Sequence, residues 1–246
     1  MFFIANHPIY NHPLPEGHRF PMLKYELLPK QLLHEGTAEC TDFYSPDSID
    51  LSLVHAVHTV SYVKALTELT LDAKAVRSIG FPLSAALVER ELRIAQGTVV
   101  GCNHALENGI AFNIAGGTHH AFSDRGEAFC LLNDQAIAAQ YLINQKKCHK
   151  ILIVDLDVHQ GNGTAEIFQN NADVITFSMH GQSNYPFRKE TSDYDIALPD
   201  KTDDTTYLSI LQETLPELLY IHRPDFVFYL AGVDILGTDK LGKLGC

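Results

Sequence analysis

The segment Ile151-Leu-Ile-Val154, followed by Asp155-Leu-Asp157-Val-His159-Gln-Gly-Asn162-Gly-Thr164, constrains this chain more than any other. The apolar run reads as a buried β-strand, and the glycines after it mark a turn. Side chains at i, i+2 and i+4 of a strand share a face. If strand geometry persists, Asp155, Asp157 and His159 therefore point the same way. Two carboxylates and an imidazole at the end of a buried strand are costly unless a partner compensates them. A divalent metal is the natural compensator.

The rest of the chain agrees with an enclosed, α/β architecture. Of 246 residues 46% are apolar, enough for a substantial core. The net charge of −12, from 18 basic and 30 acidic residues, argues against direct nucleic-acid binding. Five scattered cysteines with no CxxC pair exclude a disulfide framework or a structural zinc knot as the expectation. No apolar run approaches the roughly 20 residues of a membrane span. The N-terminus does not read as a signal peptide, so a cytoplasmic location is expected.

Strands are expected at 2–5, 110–114, 151–155, 174–179 and 226–231. Residues 8–22, rich in proline, read as a long loop. Helices are expected at 22–33, within 49–69, from Pro82 to Leu106 with breaks at Gly97 and Gly101, at 135–144 behind Asp134 as N-cap, near 164–169, and at 208–222 with a kink or division at Pro216. From about residue 110 strands and helices alternate, which predicts a parallel sheet flanked by helices. No repeat or linker interrupts the chain, and 1–246 reads as a single domain.

Ligands in open α/β sheets bind beyond the carboxyl ends of the strands. Three polar clusters fall at such ends: Gly116-Gly117-Thr118-His119-His120, Asp155 to Asn162, and Gly232-Val-Asp234. Asp157, His159 and Asp234 form a three-ligand set that leaves a coordination position open. Zinc suits it, and ferrous iron, cobalt or manganese accept the same donors. His119 and His120 are candidates for general acid–base work, with Asp155 placed to hold one ring and Asn162 the other.

Four motifs in this order resemble the zinc-dependent histone deacetylase superfamily: Gly116-Gly-Thr-His-His-Ala121, Phe129-Cys-Leu-Leu-Asn-Asp134, Asp155 to Thr164, and Ala231-Gly-Val-Asp-Ile235. His18-Arg-Phe-Pro-Met22, His159-Gln160, Ser123-Asp-Arg-Gly126 and Asp234-Ile-Leu-Gly-Thr-Asp-Lys-Leu-Gly242 look most like the class IV deacetylases and their bacterial relatives. The resemblance implies the arginase/deacetylase fold, with helices on both faces of the sheet. It implies Zn2+ held by Asp157, His159 and Asp234. His120 would be the general base and His119 its electrostatic partner or the acid, with Asp155 behind His119 and Asn162 behind His120. Phe129, Tyr185 and Gly117 would line a tunnel for the substrate side chain. A potassium ion would sit among Asp155, Asp157, His159, Ser178 and Met179. Arginase-like relatives use Asp-x-His-x-Asp for a second metal. Here Gly161 occupies the last position, which implies one catalytic metal and hydrolysis of an acyl amide.

Two departures from the family pattern stand out. Ala128 precedes Phe129 where the family usually has glycine, which narrows the tunnel wall on this reading. The family's oxyanion tyrosine lies in a later glycine-rich loop, and this sequence ends at Cys246 before such a segment. The chain thus reads as C-terminally truncated. The leading expectation is deacylation of ε-acyl-lysine. Hydrolysis of a small acylated amine such as an acetylpolyamine is the second. A catalytically impaired metal-binding or interaction module is the third.

Overall fold

The computed structural model describes residues 2–246. Its backbone divides into two compact units, Met1–Tyr141 and Leu142–Cys246.

The first unit carries β1 (Ile4–Ala5), a 3-10 turn at Pro8–Tyr10, α1 (Lys24–His34), β2 (Phe43–Tyr44), α2 (Leu51–Val54), α3 (Val60–Thr67), α4 (Ala73–Ile79), α5 (Ala85–Asn108), β3 (Phe112–Asn113) and the start of α6 (Asp134–Asn144). Its three strands are parallel in the order β2-β1-β3. The short helices begin where a side chain can accept an orphan N–H. Asp50, Thr59 and Asp72 accept from Ser52, Tyr62 and Ala75. The pattern of apolar residues does not suggest α4 or β2, since both are too short to show a period.

Two expectations about α5 need correction. Pro82 does not open the helix; Ser84 caps it, accepting from Leu87 N–H. Gly97 and Gly101 do not break it either. A Cβ at Gly97 would lie 2.9 Å from the Ala5 Cβ and 3.0 Å from the Tyr10 hydroxyl. Glycine is there to let β1 approach the helix closely.

The second unit carries β4 (Ile151–Asp155), α7 (Asn162–Phe168), β5 (Val174–Gly181), β6 (Tyr194–Leu198), α8 (Asp204–His222) and β7 (Phe226–Leu230). All four strands are parallel, in the order β6-β5-β4-β7. Every residue of β4 and β5 is buried, so both faces of the sheet centre are covered and the strands are largely apolar. Leu152, Val154, Phe177 and Met179 form the core with Leu218 of α8. Pro216 does not divide α8, which runs as one helix from Asp204 to His222. β6 escapes the sequence pattern, because Tyr194-Asp-Ile-Ala-Leu198 mixes an acid into a short half-buried strand.

Both units are thus parallel sheets with helices, the α/β class expected. In the second, Asp155 stands opposite Ser178 and Leu230 across the register. The segments leaving β4, β5 and β7 therefore emerge at one sheet edge.

The glycines of α5 make a paired prediction. A Cβ added at Gly101 would meet no neighbour closer than 3.4 Å. Gly101→Ala should stabilise the protein by about 0.5–1 kcal/mol through helix propensity. Gly97→Ala should destabilise it despite the same propensity gain. Denaturant unfolding of both variants checks this, and equal gains would contradict the packing argument.

Candidate active site

In the first unit the histidine pair follows β3 on a loop organised by one buried carboxylate. Asp134 Oδ1 accepts the N–H groups of Gly117 (3.0 Å) and Thr118 (2.9 Å) and the Thr118 hydroxyl (2.6 Å). Its Oδ2 accepts the Thr98 hydroxyl at 2.6 Å. Thr118 Oγ1 in turn accepts the Asp134 N–H at 3.0 Å. A Cβ on Gly116 would fall 2.8 Å from Asp134 Oδ2, which explains the first glycine of the pair. Gly117 has φ +91°, which explains the second.

Asp134 is therefore not the N-cap of α6. Asn133 performs that task, its side chain accepting the Ala136 N–H at 3.0 Å. A buried acid can accept several N–H groups that an Asx cap cannot reach, and spacing along the chain does not reveal that long-range role. The outcome is that His119 and His120 are both buried, with ring centroids 4.0 Å apart.

His58 locks the same region. Its Nδ1 lies 2.9 Å from the Phe122 carbonyl and its Nε2 accepts the Asn133 N–H at 3.0 Å. A carbonyl only accepts and an N–H only donates, so the ring is the neutral Nδ1–H tautomer. Burial pushes its pKa down to about 4, against a smaller upward pull from the backbone at Phe122 and Ser123.

Phe129 is held by a cluster that absorbs the His18-Arg-Phe motif. Its ring lies 5.0 Å from Phe20, 5.1 Å from Phe81 and 5.9 Å from His18, with the Arg19 guanidinium 5.0 Å above it. Ala128 and Phe129 both have positive φ, +44° and +69°. Their N–H groups donate to Ser78 and Ile79, which holds this costly backbone in place. The glycine usual before Phe129 would meet the left-handed φ at position 128 without a Cβ penalty.

In the second unit, Asp157, His159 and Asp234 converge. His159 Nδ1 lies 2.9 Å from Asp157 Oδ1 and 3.1 Å from Asp234 Oδ2. The three ligand atoms all lie within 4.8 Å of one another. The route differs from the one expected. β4 ends at Asp155, so strand alternation does not align the three residues. Asp155 Oδ1 accepts the Asp157 N–H (3.1 Å) and Asp157 Oδ1 accepts the His159 N–H (2.9 Å), and these two side chains shape the turn. Asp234 reaches across from the segment after β7, its Oδ1 accepting the Val158 N–H at 3.0 Å.

Two glycines make this convergence possible. A Cβ on Gly232 would lie 2.5 Å from the Asp157 Cα, and one on Gly242 would lie 1.8 Å from the Asp234 carbonyl oxygen. Neither site has room for a side chain.

Burial lowers the His159 pKa, but its hydrogen bonds to Asp157 and Asp234 outweigh this and raise it to about 9. A proton thus neutralises part of the acidic pair, as a cation would. Metal ligands about 2.1 Å from a tetrahedral ion are on the order of 3.4 Å apart. The observed separations are close to that, so the donor set fits a divalent metal. The side chains are 16–19% exposed, open enough for a further ligand.

Of the other expected residues, Asp155 and Ser178 are buried register neighbours on β4 and β5, followed by Met179 in the core. Asn162 opens α7 and is buried. Tyr185 is half-buried on the loop after β5. No helix among the described residues is long and apolar enough to cross a membrane.

The fold matches known proteins. The solved structure of a histone deacetylase homologue from Aquifex aeolicus superposes with a TM-score of 0.86 at 24% identity, covering 99% of this chain and 71% of that one. This establishes the arginase/deacetylase fold. The histone deacetylase domain model matches residues 18–246. The chain belongs to the histone deacetylase family, which comprises deacetylase hydrolases. It is 49% identical over 243 residues to an uncharacterised protein of Picosynechococcus, covering 99% of this chain and 81% of that protein. It is 29% identical to histone deacetylase 2 of Arabidopsis thaliana, covering 92% of this chain and 61% of that protein. It is 25% identical to the acetoin utilization protein AcuC of Staphylococcus xylosus, covering 93% of this chain and 65% of that protein.

The His58 geometry predicts a pH dependence of stability. Its folded pKa, about 4, lies below the ordinary 6.5. Between those values the unfolded chain binds a proton that the folded one refuses. The contribution is complete above the ordinary value and is lost as pH falls toward 4, at most on the order of 3 kcal/mol. Thermal unfolding across this range should show the decline, and His58→Ala should be less stable at neutral pH with a shallower slope. An unchanged slope in the variant would contradict the assignment.

Proposed function

We propose that this chain hydrolyses an acyl amide, removing the acyl group from an ε-acyl-lysine side chain. The observation that carries the reading is the convergence of Asp157 and Asp234 on one nitrogen of His159. Zn2+ is the metal assigned to these three residues, and Fe2+ fits the same donors. When bound, the metal supplies Lewis-acid polarisation of the acyl carbonyl and a lowered pKa for water.

This reading treats 1–246 as a single deacetylase-like catalytic domain. His120 takes the proton of the attacking water, and His119 provides the positive charge or the proton for the departing amine. Asp155 is assigned to His119 and Asn162 to His120. An amide partner orients its ring without stabilising imidazolium, and a carboxylate favours the charged form. That difference supports the division of base from acid. Phe129, Tyr185 and Gly117 are assigned to the walls of the acyl-lysine tunnel. K+ is assigned to Asp155, Asp157, His159, Ser178 and Met179, where it would offset part of the acidic cluster. Gly161, lacking a carboxylate, supports one catalytic metal.

The substrate is an acyl-lysine peptide or a small acylated amine. The net charge of −12 suits a basic peptide around the acyl-lysine as well as a cationic polyamine, and supports neither nucleic acid nor an anionic membrane surface as partner. Closeness to class IV deacetylases and a cytoplasmic location belong to the same reading.

Purified protein should release acetate from an acetyl-lysine peptide, lose that activity to a chelator and regain it with Zn2+. Parallel kinetics on an acetylpolyamine assign the substrate class. Asp157→Ala should weaken metal binding by more than the roughly 100-fold ceiling for outer-sphere partners. Turnover unaffected by the chelator, or full metal content in Asp157→Ala, would reject the assignment.

A further inference from the structure

The loop between β5 and β6 is built more firmly than a surface connection needs to be. Its beginning and its end are both tied to the turn that carries the metal ligands. Gly181 N–H donates to the Val158 carbonyl at 2.9 Å, between Asp157 and His159. Gln160, the residue after His159, pairs its amide with both backbone groups of Glu190: Oε1 accepts the N–H at 2.9 Å and Nε2 donates to the carbonyl at 2.8 Å. The Gln160 amide also donates to Asp195 at 2.8 Å.

Inside these ties, one cation fills the loop. Lys189 Nζ donates to the carbonyls of Pro186 (2.6 Å), Asn184 (2.7 Å) and Gln182 (3.3 Å). An ammonium carries three N–H donors, and here all three find backbone acceptors. Asn184 fixes the loop from a further side, donating to the Leu241 carbonyl at 2.9 Å in the segment after Asp234. Gly181 leaves room for it, since a Cβ there would lie 2.4 Å from Asn184 Oδ1.

The consequence is a regular division of side chains. Asn184 and Pro186 are buried, while Tyr185 is half-buried and Phe187 faces outward. Phe187 is 92% exposed, the highest value among the large apolar residues of the described chain. An aromatic ring held in water by a half-buried lysine drawn in among carbonyls is costly on both counts. Such an arrangement is expected where the ring meets a ligand.

We propose that Lys189 is a positioning residue for substrate binding, its ammonium holding the 181–190 loop so that Tyr185 and Phe187 are presented to the peptide around the acyl-lysine. This inference rests on the deacylase reading for its substrate and on the loop geometry for its mechanism. Lys189 itself touches no reacting atom, and Phe187 supplies apolar contact outside the tunnel. A small acylated amine lacks the flanking residues that Phe187 would touch.

Lys189→Met keeps the aliphatic stem and removes the charge-assisted hydrogen bonds. Amide exchange at 182–188 should speed up while β4 and β5 stay protected. KM for an acetyl-lysine peptide should rise about tenfold, the scale of one such interaction, with kcat little changed. Phe187→Ala, a surface change that leaves folding intact, should raise the peptide KM similarly and leave an acetylpolyamine KM unchanged. The double variant should be no worse than Lys189→Met alone, because Phe187 acts only through the loop that Lys189 holds. Unchanged loop exchange in Lys189→Met, or KM effects that multiply in the double variant, would overturn the proposal. Absence of turnover in the unaltered protein would instead reject the deacylase reading, and the exchange measurement would still decide whether Lys189 holds the loop.

Discussion

Two carboxylates face one imidazole nitrogen at the edge of a buried parallel sheet, and the second unit is arranged around that contact. Asp157 and Asp234 cannot lie this close to each other in a partly desolvated place without positive charge between them. His159 takes a proton to supply it, and a divalent ion meets the same need more fully. The register of β4 beside β7 delivers the two acids to one edge. The glycines at 232 and 242 allow a backbone approach that any side chain would block. Remove the parallel register or either glycine and the three donors no longer share a site.

Much of this is legible in the sequence because it follows from chemistry of fixed spacing. The apolar run at 151–154 and the turn glycines place the strand end, and the acids and histidine after it place the candidate ligands. The details that fail are those set by distant partners. Strand alternation predicts a shared face for Asp155, Asp157 and His159. Instead Asp155 and Asp157 each accept the N–H two residues on, and the turn does what the strand was expected to do. Asp134 has the look of a helix cap, yet it is spent on the Gly117 and Thr118 amides, and Asn133 caps the helix. Gly97 resembles a helix breaker until the neighbouring strand is known. Short elements such as α4, β2 and β6 offer too few residues for any period to show. Gln160 and Lys189 gain their meaning only from carbonyls brought near by the fold.

A common physical pattern joins the two units. In each, a loop bearing the assigned functional side chains is fixed by buried polar groups acting on its backbone. Asp134 and His58 do this for the histidine loop, and Asp155, Gln160 and Lys189 do it around the ligand turn. Loops held in this way keep their side chains in narrow positional ranges, which a hydrolase needs if protons are to move over short distances. The cost appears as strained backbone at Ala128 and Phe129, as a lysine partly withdrawn from water, and as a neutral buried histidine.

On this proposal Asp157, His159 and Asp234 form a single metal centre. Anomalous diffraction at the zinc edge from crystals of the protein grown with one equivalent of Zn2+ tests it most directly. One peak is expected, at about 2.0–2.2 Å from His159 Nδ1 and from a carboxylate oxygen of each aspartate. A second peak of equal occupancy beside the first, or zinc bound elsewhere with these three residues unligated, would contradict it.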